Sequence, residues 1–251
     1  MNVELKMLLI ACLSVLLIAG CAHNPVSYFD QGRENAEKGL YDEAIANYTK
    51  AVTINPKYSE AFLNRGAIYA RKASSDYDAA IGDFTTALSI DPKLALAYVN
   101  RGIAYSKKGL TEQAVADYTK AIELDPQNDF YYNLRGNINF NKGRYDLAIA
   151  DFTKVIERRP RSSEAYYNRC DVYVYKGLND EAIADCTKAI EIYPEFALPY
   201  YSQALAYDRK GNIKDAVSAY KNFLKYASDQ YDARVNRAKQ RIEELDRNPK
   251  Q

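Results

Sequence analysis

The chain has 251 residues, of which 34 are basic and 33 are acidic, so its net charge is close to zero. Nucleic-acid-binding proteins usually carry a basic patch or stripe, and a near-neutral balance disfavours that class. It also leaves little long-range electrostatic steering for charged partners. The length allows one or two ordinary domains.

The N-terminus has the pattern of a targeting segment. An apolar run from Met7 to Ala19 is shorter than a membrane span and has the length of the hydrophobic region of a secretory signal. The run ends in "LIAGC", which resembles the bacterial lipobox. The resemblance implies that residues 1–20 are a signal peptide that is removed. Cys21 then becomes an acylated N-terminus, followed by a tether that extends to residue 27.

The same resemblance indicates a location. In bacteria with two membranes, an aspartate after the acylated cysteine retains a lipoprotein in the inner membrane, whereas this chain has Ala22 there. The expected location is therefore the outer membrane, with the protein facing the periplasm. Two alternatives stay open: a membrane-spanning anchor, and a signal that is cut without lipidation.

An internal repeat follows the leader. Prolines at a near-constant spacing of 36, 34, 34 and 34 residues end a segment similar to "DEAIANYTKAVTINP". They are Pro56, Pro92, Pro126, Pro160 and Pro194. A fixed period of this length indicates a solenoid of stacked helical units.

The repeat resembles the tetratricopeptide repeat, a helix–turn–helix unit of 34 residues. That family has small residues at repeat positions 8, 20 and 27, large ones at 4, 11 and 24, and proline at 32. The third repeat matches with Tyr98, Gly102, Tyr105, Ala114, Tyr118, Ala121 and Pro126. The resemblance implies an all-α fold: a right-handed superhelical solenoid of six repeats over residues 28–228.

A charged segment with one apolar stripe follows the sixth repeat. Its apolar residues are spaced three or four apart and are Tyr231, Val235, Ala238, Ile242 and Leu245. Because a solenoid must cover the apolar face of its last repeat, we expect a capping helix over residues 229–247, followed by a tail over 248–251. The alternative is a helix that binds a partner or a second copy.

Arginine and aspartate change together along the repeats. Position 7 is arginine and position 23 is aspartate in repeats two to five, whereas the first and sixth repeats have neither. The pairs are Arg65 with Asp83, Arg101 with Asp117, Arg135 with Asp151, and Arg169 with Asp185. In an antiparallel hairpin these positions lie at the same level, so we predict a ladder of ion pairs, within each repeat or between neighbours.

The fifth repeat departs from the others at two positions. Cys170 replaces the glycine of position 8, and Cys186 replaces the aromatic residue of position 24. Antiparallel helices place these positions opposite one another, and the leader directs the chain to an oxidising compartment, where disulfides persist. We therefore predict a Cys170–Cys186 disulfide. The alternative is two buried, apolar thiols.

Sequence patterns of catalysis are missing. The chain has no HExxH, no GxSxG and no phosphate loop, and all 11 glycines belong to the leader or to the repeats. The single histidine, His23, lies in the tether. We therefore predict a protein that is not an enzyme, with no catalytic residues, no cofactor and no metal site.

The resemblance implies a binding surface on the first helix of each repeat, at positions 2, 5, 6, 9 and 12. The candidate peptide-binding residues are Phe29, Leu63, Asn64, Val99, Asn100, Ile103, Asn133, Asn137, Tyr167, Asn168 and Tyr201. Phe29 and Arg33 stand where the chaperone-binding type has lysine and asparagine, which argues against a clamp for a C-terminal carboxylate. The alternative is that many of these side chains only pack between helices.

The expected function is that of a scaffold or adaptor of the bacterial cell envelope that binds protein or peptide partners in the concave groove. By analogy, similar lipoproteins act in pilus or secretin assembly, outer-membrane assembly, or control of cell-wall hydrolases. The lipid anchor would hold the chain to a membrane, no nucleic-acid partner is expected, and a homodimer is possible. The alternative is a self-assembling, homo-oligomeric structural lipoprotein.

Overall fold

The structure is a computed structural model that describes residues 24–72, 76–228 and 231–247. Within these ranges the chain forms thirteen α-helices and no strand, arranged as consecutive helical hairpins, so the predicted all-α repeat fold is confirmed. The predicted signal peptide and Cys21 lie outside the described residues.

The chain divides into two compact units. The helices of the first unit, residues 1–125, are α1 (Pro25–Glu37), α2 (Tyr41–Ile54), α3 (Ser59–Arg71), α4 (Tyr77–Ile90), α5 (Ala95–Lys107) and α6 (Thr111–Leu124). The helices of the second unit, residues 126–251, are α7 (Asp129–Asn141), α8 (Tyr145–Arg158), α9 (Ser163–Lys176), α10 (Asn179–Ile192), α11 (Ala197–Arg209), α12 (Ile213–Tyr226) and α13 (Asp232–Arg247).

Glycine and proline set helix ends in most of the hairpins. The first helix of the fifth repeat ends at Gly177, whose φ of 82° is the left-handed conformation that glycine adopts without steric cost. The second helix of the first repeat ends at Asn55, which is extended (φ −124°, ψ 90°). Pro56 explains this ending, because proline disfavours helical geometry in the residue before it.

Small residues let the two helices of a hairpin approach closely. A Cβ atom added to Gly102 of α5 would lie 2.7 Å from the ring of Tyr118 on α6, which is closer than carbon atoms pack. The same contact joins Gly66 to Phe84, at 2.8 Å. The aromatic ring of position 24 therefore fills the space that the glycine of position 8 leaves.

The fifth repeat replaces this ring-on-glycine contact by a covalent bond. Cys170 of α9 and Cys186 of α10 form a disulfide, as predicted, with their Cα atoms 5.5 Å apart. This separation lies in the range that a disulfide requires. Both residues are fully buried beside Val174 and Ala182. The alternative of two free thiols is therefore wrong for this structure.

The predicted ladder of ion pairs is present and lies within each repeat. The Arg101 guanidinium donates from Nε and Nη2 to the two carboxylate oxygens of Asp117, both at 2.8 Å. Arg65–Asp83, Arg135–Asp151 and Arg169–Asp185 have the same two-pronged geometry.

The ladder also connects neighbouring repeats. The remaining nitrogen, Nη1, of Arg101 donates to the Thr85 hydroxyl of the preceding repeat at 3.1 Å. Arg65 makes the same bond to Thr49 at 2.9 Å. One guanidinium thus links a hairpin internally and links it to the preceding one, which explains the use of arginine rather than lysine at this position.

Helix α13 covers the last hairpin. Its apolar stripe packs on α11 and α12, with Ala238 and Leu245 buried. Arg241 of α13 donates two hydrogen bonds, of 2.7 and 2.9 Å, to the carboxylate of Asp208 on α11. The stripe therefore packs within the chain on the last hairpin.

Candidate peptide-binding faces

The candidate face of the first unit divides into buried and accessible residues. Leu63 and Val99 are buried in the repeat core, Val99 to 1% exposure, so their side chains pack between helices. Phe29 is half-buried and packs its ring against those of Tyr48 and Tyr58, at centroid distances of 5.8 and 5.0 Å. The remaining candidates, Asn64, Asn100 and Ile103, are half-buried. They form the part of this face that a ligand can reach.

In the second unit, two of the candidate asparagines bond to each other. The Asn168 amide donates to the Asn133 side-chain oxygen at 3.1 Å, which joins the first helices of repeats four and five. Asn137 is exposed, Tyr167 is half-buried, and Tyr201 is buried to 6% exposure. Peptide recognition by the Asn133–Asn168 pair would therefore use the hydrogen-bonding capacity that remains on both amides.

A cleft of about 230 Å³ opens beside this pair. Its lining includes Asn133, Val155 and Phe130, whose side chain is 49% exposed. At its rim, Arg159 forms an ion pair with Asp129 at 2.6 Å. Apolar side chains among polar and charged ones suit an apolar anchor of an otherwise polar peptide. Phe130 was not among the predicted residues, although it occupies position 2 of its repeat, which faces the groove in this type of repeat.

Two aromatic rings extend from Tyr167 into the loop that follows repeat five. The ring of Phe196, in the loop between repeats five and six, lies edge-on to that of Tyr167 at 5.2 Å. The ring of Tyr193 stacks on Phe196 at 6.2 Å, and Tyr193 is exposed. Sequence analysis missed both residues because they lie outside the helix positions that the repeat pattern identifies. Both are aromatic and belong to the four-residue segment "YPEF", and this clustering could have indicated them.

Asp171, at position 9 of the fifth repeat, is a carboxylate in a largely apolar setting. Its pKa is raised by burial, an effect that the hydrogen bond from the Ser202 hydroxyl at 2.9 Å opposes. Burial also raises the pKa of the neighbouring Tyr167 hydroxyl. Both residues are half-buried, so their polar groups are partly shielded from water.

Sequence comparison identifies the family. Tetratricopeptide repeat profiles match residues 32–73, 70–109, 95–128, 130–162, 163–196 and 201–239, so the chain belongs to the tetratricopeptide repeat family. No curated protein matches the chain. Proteins of this fold are in general scaffolds for protein–protein interaction and non-catalytic.

Solved structures have the same fold. The C-terminal part of a repeat-containing protein from Cytophaga hutchinsonii has a TM-score of 0.74 and 21% identity, over 88% of this chain and 90% of that one. YrrB, described as having an unusual peptide-binding site, has a TM-score of 0.66 and 21% identity, over 77% and 97%. MamA is 30% identical with a TM-score of 0.60, over 63% and 92%.

In residues 24–72, 76–228 and 231–247, no helix is long and apolar enough to cross a membrane. In the same ranges, histidine, cysteine, aspartate and glutamate side chains form no group of three that suits a metal ion.

Proposed function

We propose that this protein is a non-enzymatic scaffold that binds a peptide segment of a partner along the first helices of its repeats. The observation that carries the proposal is the cleft beside Asn133, because it combines an exposed aromatic side chain, Phe130, with free amide hydrogen-bonding capacity and a charged rim. These are the groups that fix an apolar anchor and the backbone of a bound peptide.

The proposed setting is the bacterial cell envelope, with the chain held to a membrane through acylated Cys21. Support comes from the lipobox-like "LIAGC" and from the disulfide in the fifth repeat, since such bonds persist in oxidising compartments. An adaptor of this kind would recruit partners to an envelope machine.

Site-specific photocrosslinking in the native host tests the binding face. Replacement of Phe130 by p-benzoylphenylalanine should give a crosslink to a defined envelope protein. Leu147 is the matched control, because it is an apolar residue with 56% exposure on the second helix of the same repeat. Crosslinks from both positions to the same proteins, or from neither, would contradict a specific face. A crosslink only to a second copy of the chain would favour self-assembly.

Metabolic labelling tests the anchor. Radioactive palmitate should label the wild-type chain, which should sediment with outer membranes. A Cys21→Ala variant should remain unlabelled and lose its membrane association, because it lacks the cysteine that carries the acyl chains. A labelled Cys21→Ala chain would refute acylation at this cysteine.

A further inference from the structure

An arginine of the capping helix lies on the candidate face of the second unit. The guanidinium carbon of Arg234 lies 5.8 Å from the centroid of the Tyr201 ring, within the range of a cation–π contact. The charge of Arg234 also acts on the Tyr167 hydroxyl and on the Asp171 carboxylate. Tyr167 and Tyr201 occupy position 5 of successive repeats, where peptides are expected to bind.

The groups around this guanidinium suit a cation. The Tyr201 ring supplies its face, and Asp171 supplies a negative charge, which Ser202 orients through its hydrogen bond of 2.9 Å.

Arg234 can leave this pocket without detaching its helix. Tyr231 and Val235 flank Arg234 and pack on the last hairpin, and Ala238, Leu245 and the Arg241–Asp208 ion pair hold α13 one turn or more beyond it. Rotation about the side-chain bonds of Arg234 is therefore enough to empty the pocket. Competition with an incoming group needs no unfolding of the cap.

We propose that Tyr167, Asp171 and Tyr201 form a subsite for an arginine or lysine side chain of the partner segment, and that Arg234 occupies this subsite until the partner displaces it. The inference rests on the proposed function and adds the chemistry of the partner. The partner segment carries a cationic residue at the point that contacts repeats five and six. This cationic residue of the partner makes the contact that Arg234 makes when no partner is bound.

Fluorescence polarisation with a labelled peptide tests the subsite in the purified full chain. The probe is the chain's own sequence YDARVNRA, and its control has glutamine in place of the first arginine. If Arg234 fills the pocket about nine-tenths of the time, Arg234→Ala should bind the probe about tenfold more tightly than the wild type. Arg234→Lys should bind like the wild type, because it keeps a competing cation.

Two controls separate the subsite from general effects. Arg237→Ala removes an exposed arginine one turn along the same helix and should leave binding unchanged. Asp171→Asn in the Arg234→Ala background should abolish the gain in affinity for the peptide. Equal binding by the wild type and Arg234→Ala, or equal binding of the glutamine control peptide, would overturn the inference. Thermal melting of each variant, followed by circular dichroism, identifies any variant that loses peptide binding because it is unfolded. The Phe130 crosslink is read separately, so the inference can fail while the proposed function stands.

Discussion

Arg169 and Asp185 form a two-pronged ion pair directly beside the Cys170–Cys186 disulfide. Arg169 Nε and Nη2 lie 2.6 and 2.8 Å from the two Asp185 carboxylate oxygens, and each ion-pair residue precedes one of the bonded cysteines in sequence. The fifth repeat therefore holds its two helices together by a charge pair and a covalent bond at adjacent levels. The other arginine–aspartate repeats pair a glycine with an aromatic ring at the second level.

Removal of an acidic partner from the ladder should destabilise the fold strongly. Asp117→Ala leaves the half-buried Arg101 without its carboxylate, and we expect a loss of about 3 kcal/mol in the free energy of unfolding. Urea denaturation measures it. Asp78→Ala is the control: its ion pair with Lys108 is exposed, and we expect a change below about 1 kcal/mol. Similar losses for both variants would refute a special role of the ladder.

Reduction of the disulfide should also cost stability. A bond that closes a loop of 16 residues should contribute about 2–4 kcal/mol, so the oxidised chain should melt at a higher temperature than the reduced one. Intact mass after alkylation without reductant should show neither Cys170 nor Cys186 modified. Alkylation of both would disprove the bond.

A double variant separates the bond from the packing around it. Cys170→Gly with Cys186→Tyr restores the glycine and ring of the third repeat, Gly102 and Tyr118. Its melting temperature should no longer respond to reductant. It should also lie above that of the reduced wild type, because the ring fills the space between the helices. A lower melting temperature would show that the fifth repeat has lost the geometry for that contact.

Two glycines in helices should respond to alanine in opposite directions. In Gly102→Ala the new Cβ would lie 2.7 Å from the Tyr118 ring, so we expect a loss of about 1–3 kcal/mol. Gly82, inside α4, has nothing within 4 Å of its added Cβ, and Gly82→Ala should stabilise by about 0.5–1 kcal/mol through helix propensity. Thermal melting compares them, and a loss in both would mean that the contact is not the cause.

Stability should fall at alkaline pH because of buried tyrosines. Burial raises the pKa of Tyr48 from 10 to about 12. The unfolded chain therefore loses this proton first, and the stability contribution, complete below pH 10, is lost as the pH rises to 12. The slope is about 1.4 kcal/mol for each pH unit. Tyr48→Phe should flatten the pH dependence of the unfolding free energy in this window; an unchanged slope would contradict burial of the hydroxyl.

The sequence by itself determined the repeat and the contacts inside each hairpin. The spacing of the prolines and of the small and large residues predicted the helical hairpins, and the joint change of arginine and aspartate predicted the ladder. The two cysteines predicted their own bond. These contacts join residues at a fixed sequence separation within one hairpin. The regular geometry of antiparallel helices brings residues at that separation next to each other.

The tertiary structure alone decided which residues of the candidate faces a ligand can reach. Leu63 and Val99 share a repeat position with Asn133 and Tyr167, yet the first two are buried and the other two are half-buried. Position in the repeat fixes the side of the helix, whereas burial depends on side chains that neighbouring segments supply. The contact of Arg234 with Tyr201 has the same origin, because it joins the capping helix to a repeat whose sequence pattern contains no sign of it.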